Sequence, residues 1–173
     1  MKNKTIPIFY ACDEPFIKYA AVSLKSLLSN ADKNRFYKIH VLITNVSDCT
    51  KEKFLALRTP NAEISFDDVS GYLGRLSARL PLRDYYSKTT YFRLFIADMF
   101  PHYDKAIYID ADTVVNGDIS KLYDIDLKDN LVGAVSDRVM AEEKVFGDYA
   151  EKVVGIDRYA YFNAGVLLIN CKA

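Results

Sequence analysis

Asp110 and Asp112 stand one residue apart where the apolar run of KAIYIDADTVV (105–115) comes to an end. Successive side chains of an extended backbone leave on opposite faces. If the strand continues that far, both carboxylates project together and Ala111 points away. Two hard oxygen donors on one face suit Mg²⁺ or Mn²⁺, ions usually held by one or two carboxylates together with substrate phosphates. The expected ligand is therefore a metal-bound diphosphate. Spacing alone is weak support, because 17 of the 173 residues are Asp and chance then yields roughly two D-x-D triplets. The chain has two. The second, Asp124-Ile125-Asp126, lies in KLYDIDLKDN, where no apolar strand delivers it to a sheet edge. In an open α/β sheet ligands bind beyond the carboxyl ends of the strands, and AIYI would deliver Asp110 and Asp112 there.

The elements that must position this pair follow from hydrophobic periodicity. IPIFYA (6–11) reads as a buried strand, and Ile17, Ala20, Ala21, Leu24, Leu27 and Leu28 recur at helical spacing after it. YKIHVLIT (37–44) is a second strand, Asp48 is placed to cap a helix through Leu57, and AEISFDDV (62–69) alternates as a third strand. Arg75, Arg79 and Arg83 recur every four residues and read as a solvated basic face that Pro81 would kink or end. Ser87 is placed to cap a helix through TTYFRLFIADMF, stopped by Pro101. Strands are then expected at AIYID (106–110), LVGAVSD (131–137) and YFNAGVLLIN (161–170), with a helix near 141–154. Such alternation predicts an α/β fold: a mostly parallel open sheet with helices on both faces.

Composition bounds the function classes. With 50% apolar residues the chain can bury one sizeable core, and no linker or repeat divides it. Residues 1–93 carry 15 Lys/Arg against 9 Asp/Glu and residues 94–173 carry 8 against 14. An acidic half suits a cation and argues against a nucleic-acid groove along the chain. The N-terminal apolar run from Ile6 to Cys12 contains Pro7 and stops at Asp13-Glu14, so it suits neither a signal peptide nor a membrane span. Cys12, Cys49 and Cys171 lack metal or disulfide spacing, pointing to a reducing, cytoplasmic setting. His40 and His102 have no ligand partners in sequence; His40, within YKIHVLI, reads as a satisfied structural histidine.

Four segments, in order, resemble the family-eight glycosyltransferases, which include lipopolysaccharide galactosyl- and glucosyltransferases and glycogenin. They are FYACDEPF (9–16), TTYFRLFIADMFPHYDKAIYIDADTVV (89–115), DLKDNLVGAVSD (126–137) and YFNAGVLLIN (161–170). The resemblance implies a Rossmann-like, type A nucleotide-sugar-binding domain over residues 1–173. It also implies a Mn²⁺-dependent (or Mg²⁺-dependent) retaining hexosyl transfer from a UDP-sugar to a glycan, glycolipid or protein acceptor. Under it Asp110 and Asp112 hold the metal, Ala11 and Asp13 hold uracil and ribose, and Tyr86 lines the base pocket. Arg93 bridges phosphate and sugar, Ala111 contacts the donor, and Asp137 with Asn163, Ala164 and Gly165 grips the sugar. Arg93 and Asp137 are thus the expected catalytic residues. Pro15 departs from the family's Asn at that position and has neither side-chain donor nor N–H. Family members continue well beyond the sixth strand with a further metal-binding histidine, much of the acceptor site and, in lipid-modifying members, a basic tail that contacts the membrane. The chain is accordingly expected to be the donor-binding portion of a longer protein.

The physics of these residue types agrees with those roles. A carboxylate beside a base N–H or ribose hydroxyl makes a charge-assisted bond, a guanidinium bridges phosphate oxygens, and a glycine admits close backbone approach. The alternative for Asn163 and Gly165 is a bulge in a buried strand. Two rival functions remain. A phospho-receiver would want its acceptor after the third strand and a Lys after the fifth, whereas here the fifth ends in Ser136-Asp137. A UDP-sugar binder that is non-catalytic or self-glucosylating shares every residue above.

Overall fold

The computed structural model describes residues 5–72 and 88–173. It contains β1 (Ile6–Ala11), α1 (Ile17–Asn30), β2 (Tyr37–Ile43), α2 (Asp48–Leu55) and β3 (Ala62–Asp68). A 3₁₀ segment, Lys88–Phe95, runs into the short helix α3 (Ile96–Met99) and then β4 (Lys105–Ile109). Next come α4 (Ser120–Tyr123), β5 (Val132–Ser136), α5 (Arg138–Glu142), α6 (Lys144–Tyr149), a π turn at Ala150–Val154 and β6 (Phe162–Asn170). Tyr86, Ser87 and the stripe Arg75, Arg79 and Arg83 lie outside the described residues. No helix among the described residues is long and apolar enough to cross a membrane.

The six strands form one sheet in the order β3-β2-β1-β4-β6-β5. β1 pairs in parallel with β2 and β4, and β2 with β3, while β6 runs antiparallel to both β4 and β5. The sheet is thus mostly parallel, with one reversed strand. Every residue of β1 is buried, as expected where helices cover both faces. Alternation along β1 splits the core. Ile8 and Tyr10 pack with Leu24 and Leu27 of α1 and Phe54 of α2, whereas Phe9 and Ala11 pack with Phe92 and Ile96 on the opposite side.

Several local expectations are corrected. The helix predicted through TTYFRLFIADMF (89–100) is a 3₁₀ segment for most of its length; its Thr-Thr-Tyr-Phe run is poor in α-helix formers. Ser47, not Asp48, caps α2, its hydroxyl accepting the Thr50 N–H, and the helix ends at Leu55. The region near 141–154 is divided among α5, α6 and the π turn. β4 ends at Ile109, so Asp110 and Asp112 are carried by the turn after the strand and not by the strand itself. Pairing between β5 and β6 shifts register between Gly133 and Val135, opposite the stretch that contains Ala164 and Gly165. An irregularity, the alternative reading of Asn163 and Gly165, is present at this point, although Asn163 is exposed and not buried.

His40 is satisfied as expected. Its Nδ1 lies 2.9 Å from Asp67 Oδ2, its Nε2 lies 2.8 Å from the Tyr103 hydroxyl, and its ring stacks on Phe9 at 4.6 Å. Burial alone would raise the Asp67 carboxyl, but the His40 contact and the Ser65 hydroxyl outweigh it and hold Asp67 below the usual carboxylate range. The second D-x-D triplet is structural: Asp124 pairs with Arg35 and Asp126 accepts the Lys128 N–H at 2.9 Å.

Candidate active site

The acidic turn is shaped from two sides. The Asp110 N–H donates to the Gly165 carbonyl at 2.7 Å, extending the β4–β6 ladder one residue past the strand. Thr113 Oγ1 then donates to the Asp110 carbonyl at 2.9 Å and folds the chain back. A line of hydroxyls ties this turn to α1: Tyr10 to Ser23 at 3.1 Å, and Ser23 to Thr113 at 2.9 Å. Ser26 and Asn30 of the same helix bond the Val115 N–H and carbonyl at 2.8 and 2.9 Å.

Beyond the carboxyl ends of β1 and β4 lies a depression of about 240 Å³. It is lined by Ala11, Cys12 and Phe16 from the end of β1 and the turn after it, by Thr89, Thr90 and Arg93 from the 3₁₀ segment, and by Tyr108, Asp110, Ala111 and Asp112 from β4 and the turn after it. The structure therefore gathers Ala11, Arg93, Asp110, Ala111 and Asp112 in one place, as the sequence predicts. Asp13 sits between two lining residues and closes the turn into α1, its Oδ1 accepting the Phe16 N–H at 3.2 Å.

Arg93 is the hub. Its Nη2 donates to Asp110 Oδ1 at 2.8 Å, its Nε to the Thr90 carbonyl at 3.0 Å and its Nη1 to the Ala164 carbonyl, while the guanidinium lies over the Tyr108 ring at 4.5 Å. The side chain is only 11% exposed, so the helix-borne arginine is not a solvated surface residue. The Tyr108 hydroxyl also donates to Asp110 Oδ1, at 2.8 Å. Burial, and then the nearby Asp110 charge, push the Tyr108 phenol up, so it stays a donor. Burial likewise pushes the Cys12 thiol up to about 12, with Asp13 adding to the effect, which leaves it an inert wall of the depression.

Asp137 and Asn163 come together at 3.3 Å, but outside the lining of this depression. Asp137 Oδ1 caps α5, accepting the N–H groups of Val139 and Met140 at 3.0 and 3.1 Å. Asn163 Oδ1 accepts the Gly165 N–H at 2.8 Å. Gly165 packs against Asp110: a β-carbon there would stand 2.8 Å from Asp110 Oδ2. Ala164 lines a neighbouring apolar groove that also includes Arg93.

The donor set suits a hard divalent ion in part. Asp112 is exposed, and among the described residues it has no hydrogen-bond partner and the Asp110 carboxylate engages only Oδ1. Asp110 Oδ2 and the Asp112 carboxylate would hold such an ion beside a diphosphate. No third His, Cys, Asp or Glu joins them among the described residues.

The sequence reading overlooked Cys12, Phe16, Thr89, Thr90 and Tyr108. Tyr108 was accessible to the alternation rule, because two residues before Asp110 on a strand means the same face. Phe16 could be found as an aromatic left off the apolar stripe of α1 that begins at Ile17.

Residues 7–173 match the family described as Glycosyl transferase family 8. Lipopolysaccharide 1,3-galactosyltransferase of Salmonella typhimurium is 32% identical over 94% of this chain and 48% of its own length. Among solved structures, the bifunctional glycosyltransferase WbbM in its apo form superposes with a TM-score of 0.84 at 32% identity, covering 98% of this chain and 32% of that one. The galactosyltransferase LgtC, solved in complex with donor and acceptor sugar analogs, gives a TM-score of 0.78 at 30% identity, covering 96% of this chain and 58% of that one. The chain spans about half the length of the lipopolysaccharide glycosyltransferases it matches. Fold, ordered motifs and likeness agree: the chain belongs to glycosyl transferase family 8.

Proposed function

We propose that this chain binds a UDP-sugar and forms the donor site of a metal-dependent, retaining hexosyltransferase that delivers glucose or galactose to a glycan or lipid-linked acceptor of the lipopolysaccharide type. The observation that carries the reading is the single depression shared by Phe16, Arg93, Asp110 and Asp112. It brings together an exposed aromatic ring, suited to a base, and a cation paired with Asp110 together with the Asp112 carboxylate, suited to a metal-bound diphosphate. The names of relatives add the sugar and acceptor classes.

Asp13 fixes the uridine end and Arg93 the phosphates. A bound Mn²⁺ or Mg²⁺ would supply Lewis-acid stabilisation of the leaving diphosphate. Arg93, inside a largely buried network, meets the charge that develops on the same leaving group. Asp137, Asn163, Ala164 and Gly165 are assigned to the sugar, and Tyr86 to the base. The three free thiols Cys12, Cys49 and Cys171 suit a cytoplasmic site of action.

Calorimetric titration with UDP, with and without Mn²⁺, tests the donor site. An assay for transfer from UDP-glucose and UDP-galactose, with NMR of the product anomer, tests the chemistry. Metal-dependent UDP binding and an α-linked product are expected. Equal UDP affinity in Mn²⁺ and in EDTA would overturn the metal-dependent reading. Binding without transfer by the native protein would favour the non-catalytic UDP-sugar binder.

A further inference from the structure

Asp110 Oδ1 accepts from two donors, Arg93 Nη2 and the Tyr108 hydroxyl, each at 2.8 Å, while Oδ2 faces the Cα side of Gly165. An arginine beside a carboxylate ordinarily takes both oxygens in a two-pronged pair. Here the guanidinium is turned away from that arrangement, its Nη1 on the Ala164 carbonyl, its Nε on the Thr90 carbonyl and its plane over the Tyr108 ring. The phenol contributes twice: its ring seats Arg93 and its hydroxyl fills the second acceptor direction of Oδ1.

We propose that Tyr108 is a positioning residue that keeps Asp110 from closing a two-pronged pair with Arg93, reserving Oδ2 of Asp110 for a divalent cation. The proposal rests on the metal-dependent reading above. Without the hydroxyl, the carboxylate pivots about its Cβ–Cγ bond and offers both oxygens to the guanidinium. One of the two carboxylates is thereby withdrawn from the cation. Gly165 leaves the space in which Oδ2 sits, since a β-carbon there would stand 2.8 Å from it.

The test is Tyr108→Phe in the 173-residue chain, which keeps the ring over Arg93 and removes only the hydroxyl. Mn²⁺ affinity is read by electron paramagnetic resonance of free Mn²⁺ at saturating UDP, and uridine affinity is measured in parallel. Tyr37→Phe is the control, because Tyr37 is a fully buried tyrosine whose hydroxyl bonds the Asp32 carbonyl, away from the site. Removing an outer partner of a metal ligand typically weakens the metal about 10- to 100-fold. A loss of that size in Tyr108→Phe, with uridine binding and the thermal midpoint held and with Tyr37→Phe unchanged, supports the proposal. Mn²⁺ affinity in Tyr108→Phe equal to that of the unmutated chain overturns it while leaving the metal-dependent reading intact. Equal losses of Mn²⁺ and uridine binding overturn it in favour of a general packing role. No Mn²⁺ binding by the unmutated chain with UDP overturns the parent reading itself.

Discussion

Gly165 yields the volume that the Asp110 carboxylate occupies, for a β-carbon at Gly165 would stand 2.8 Å from Asp110 Oδ2 and 3.0 Å from Asn163 Oδ1. Its backbone φ is ordinary, so the demand for glycine here is one of space and not of conformation. Gly165→Ala is expected to displace the Asp110 carboxylate and weaken metal-dependent UDP binding about tenfold. Titration with UDP and with uridine checks this, and a matching loss for uridine would refute it.

Asp110→Asn and Asp112→Asn should part company in stability and agree in binding. Asp112 has no partner among the described residues, so its loss should change unfolding free energy by less than about 0.5 kcal/mol. Asp110→Asn leaves the largely buried Arg93 without its anion and should cost about 1–3 kcal/mol. Urea unfolding in EDTA measures the difference. Each substitution should remove the metal dependence of UDP binding.

Arg93→Ala should weaken UDP far more than uridine. Charge-assisted contacts are worth about 1.5–3 kcal/mol, or roughly ten- to a hundredfold in affinity. Arg93→Lys should recover little, because an ammonium cannot reach the Thr90 carbonyl, the Ala164 carbonyl and Asp110 at once in planar fashion. Parallel losses for UDP and uridine would instead assign Arg93 to folding.

Much of this was legible in the sequence, and the failures share a cause. β1, β2 and β4 were readable to within a residue because buried parallel strands are continuous apolar runs. Asp110 and Asp112 do stand beyond the carboxyl end of β4, but the route differs: a turn locked by Thr113 carries them, not strand alternation. That turn depends on contacts with α1, which lies some ninety residues earlier in the chain, and no local pattern reports them. The 3₁₀ geometry of Lys88–Phe95 was equally hidden, since an apolar stripe at helical spacing does not separate 3₁₀ from α. Asp137 shows the converse, a residue type read for sugar contact that also meets a local backbone need at the start of α5.

Asp67 supplies a pH dependence. A carboxyl whose folded pKa lies below its unfolded value adds stability above the unfolded value, near about 3.9, and loses it as pH falls through the folded value. Because the His40 contact holds Asp67 down, the unmutated chain should lose stability as pH drops below about 4. Asp67→Asn should be less stable at neutral pH and show a shallower loss on acidification. Thermal midpoints across a pH series measure both effects, and an unchanged acid slope would refute the assignment.

The hydroxyl line from Tyr10 through Ser23 to Thr113 means that the acid-bearing turn is ordered by folding and not by its ligand. The entropy of fixing those backbone torsions is spent once, when α1 packs on β1. Under the proposed function a ligand arriving at Asp110 and Asp112 would therefore meet a preorganised surface and keep more of its contact energy as affinity. Ser23, fully buried on a helix that contributes no lining residue to the depression, would thereby be a determinant of binding entropy.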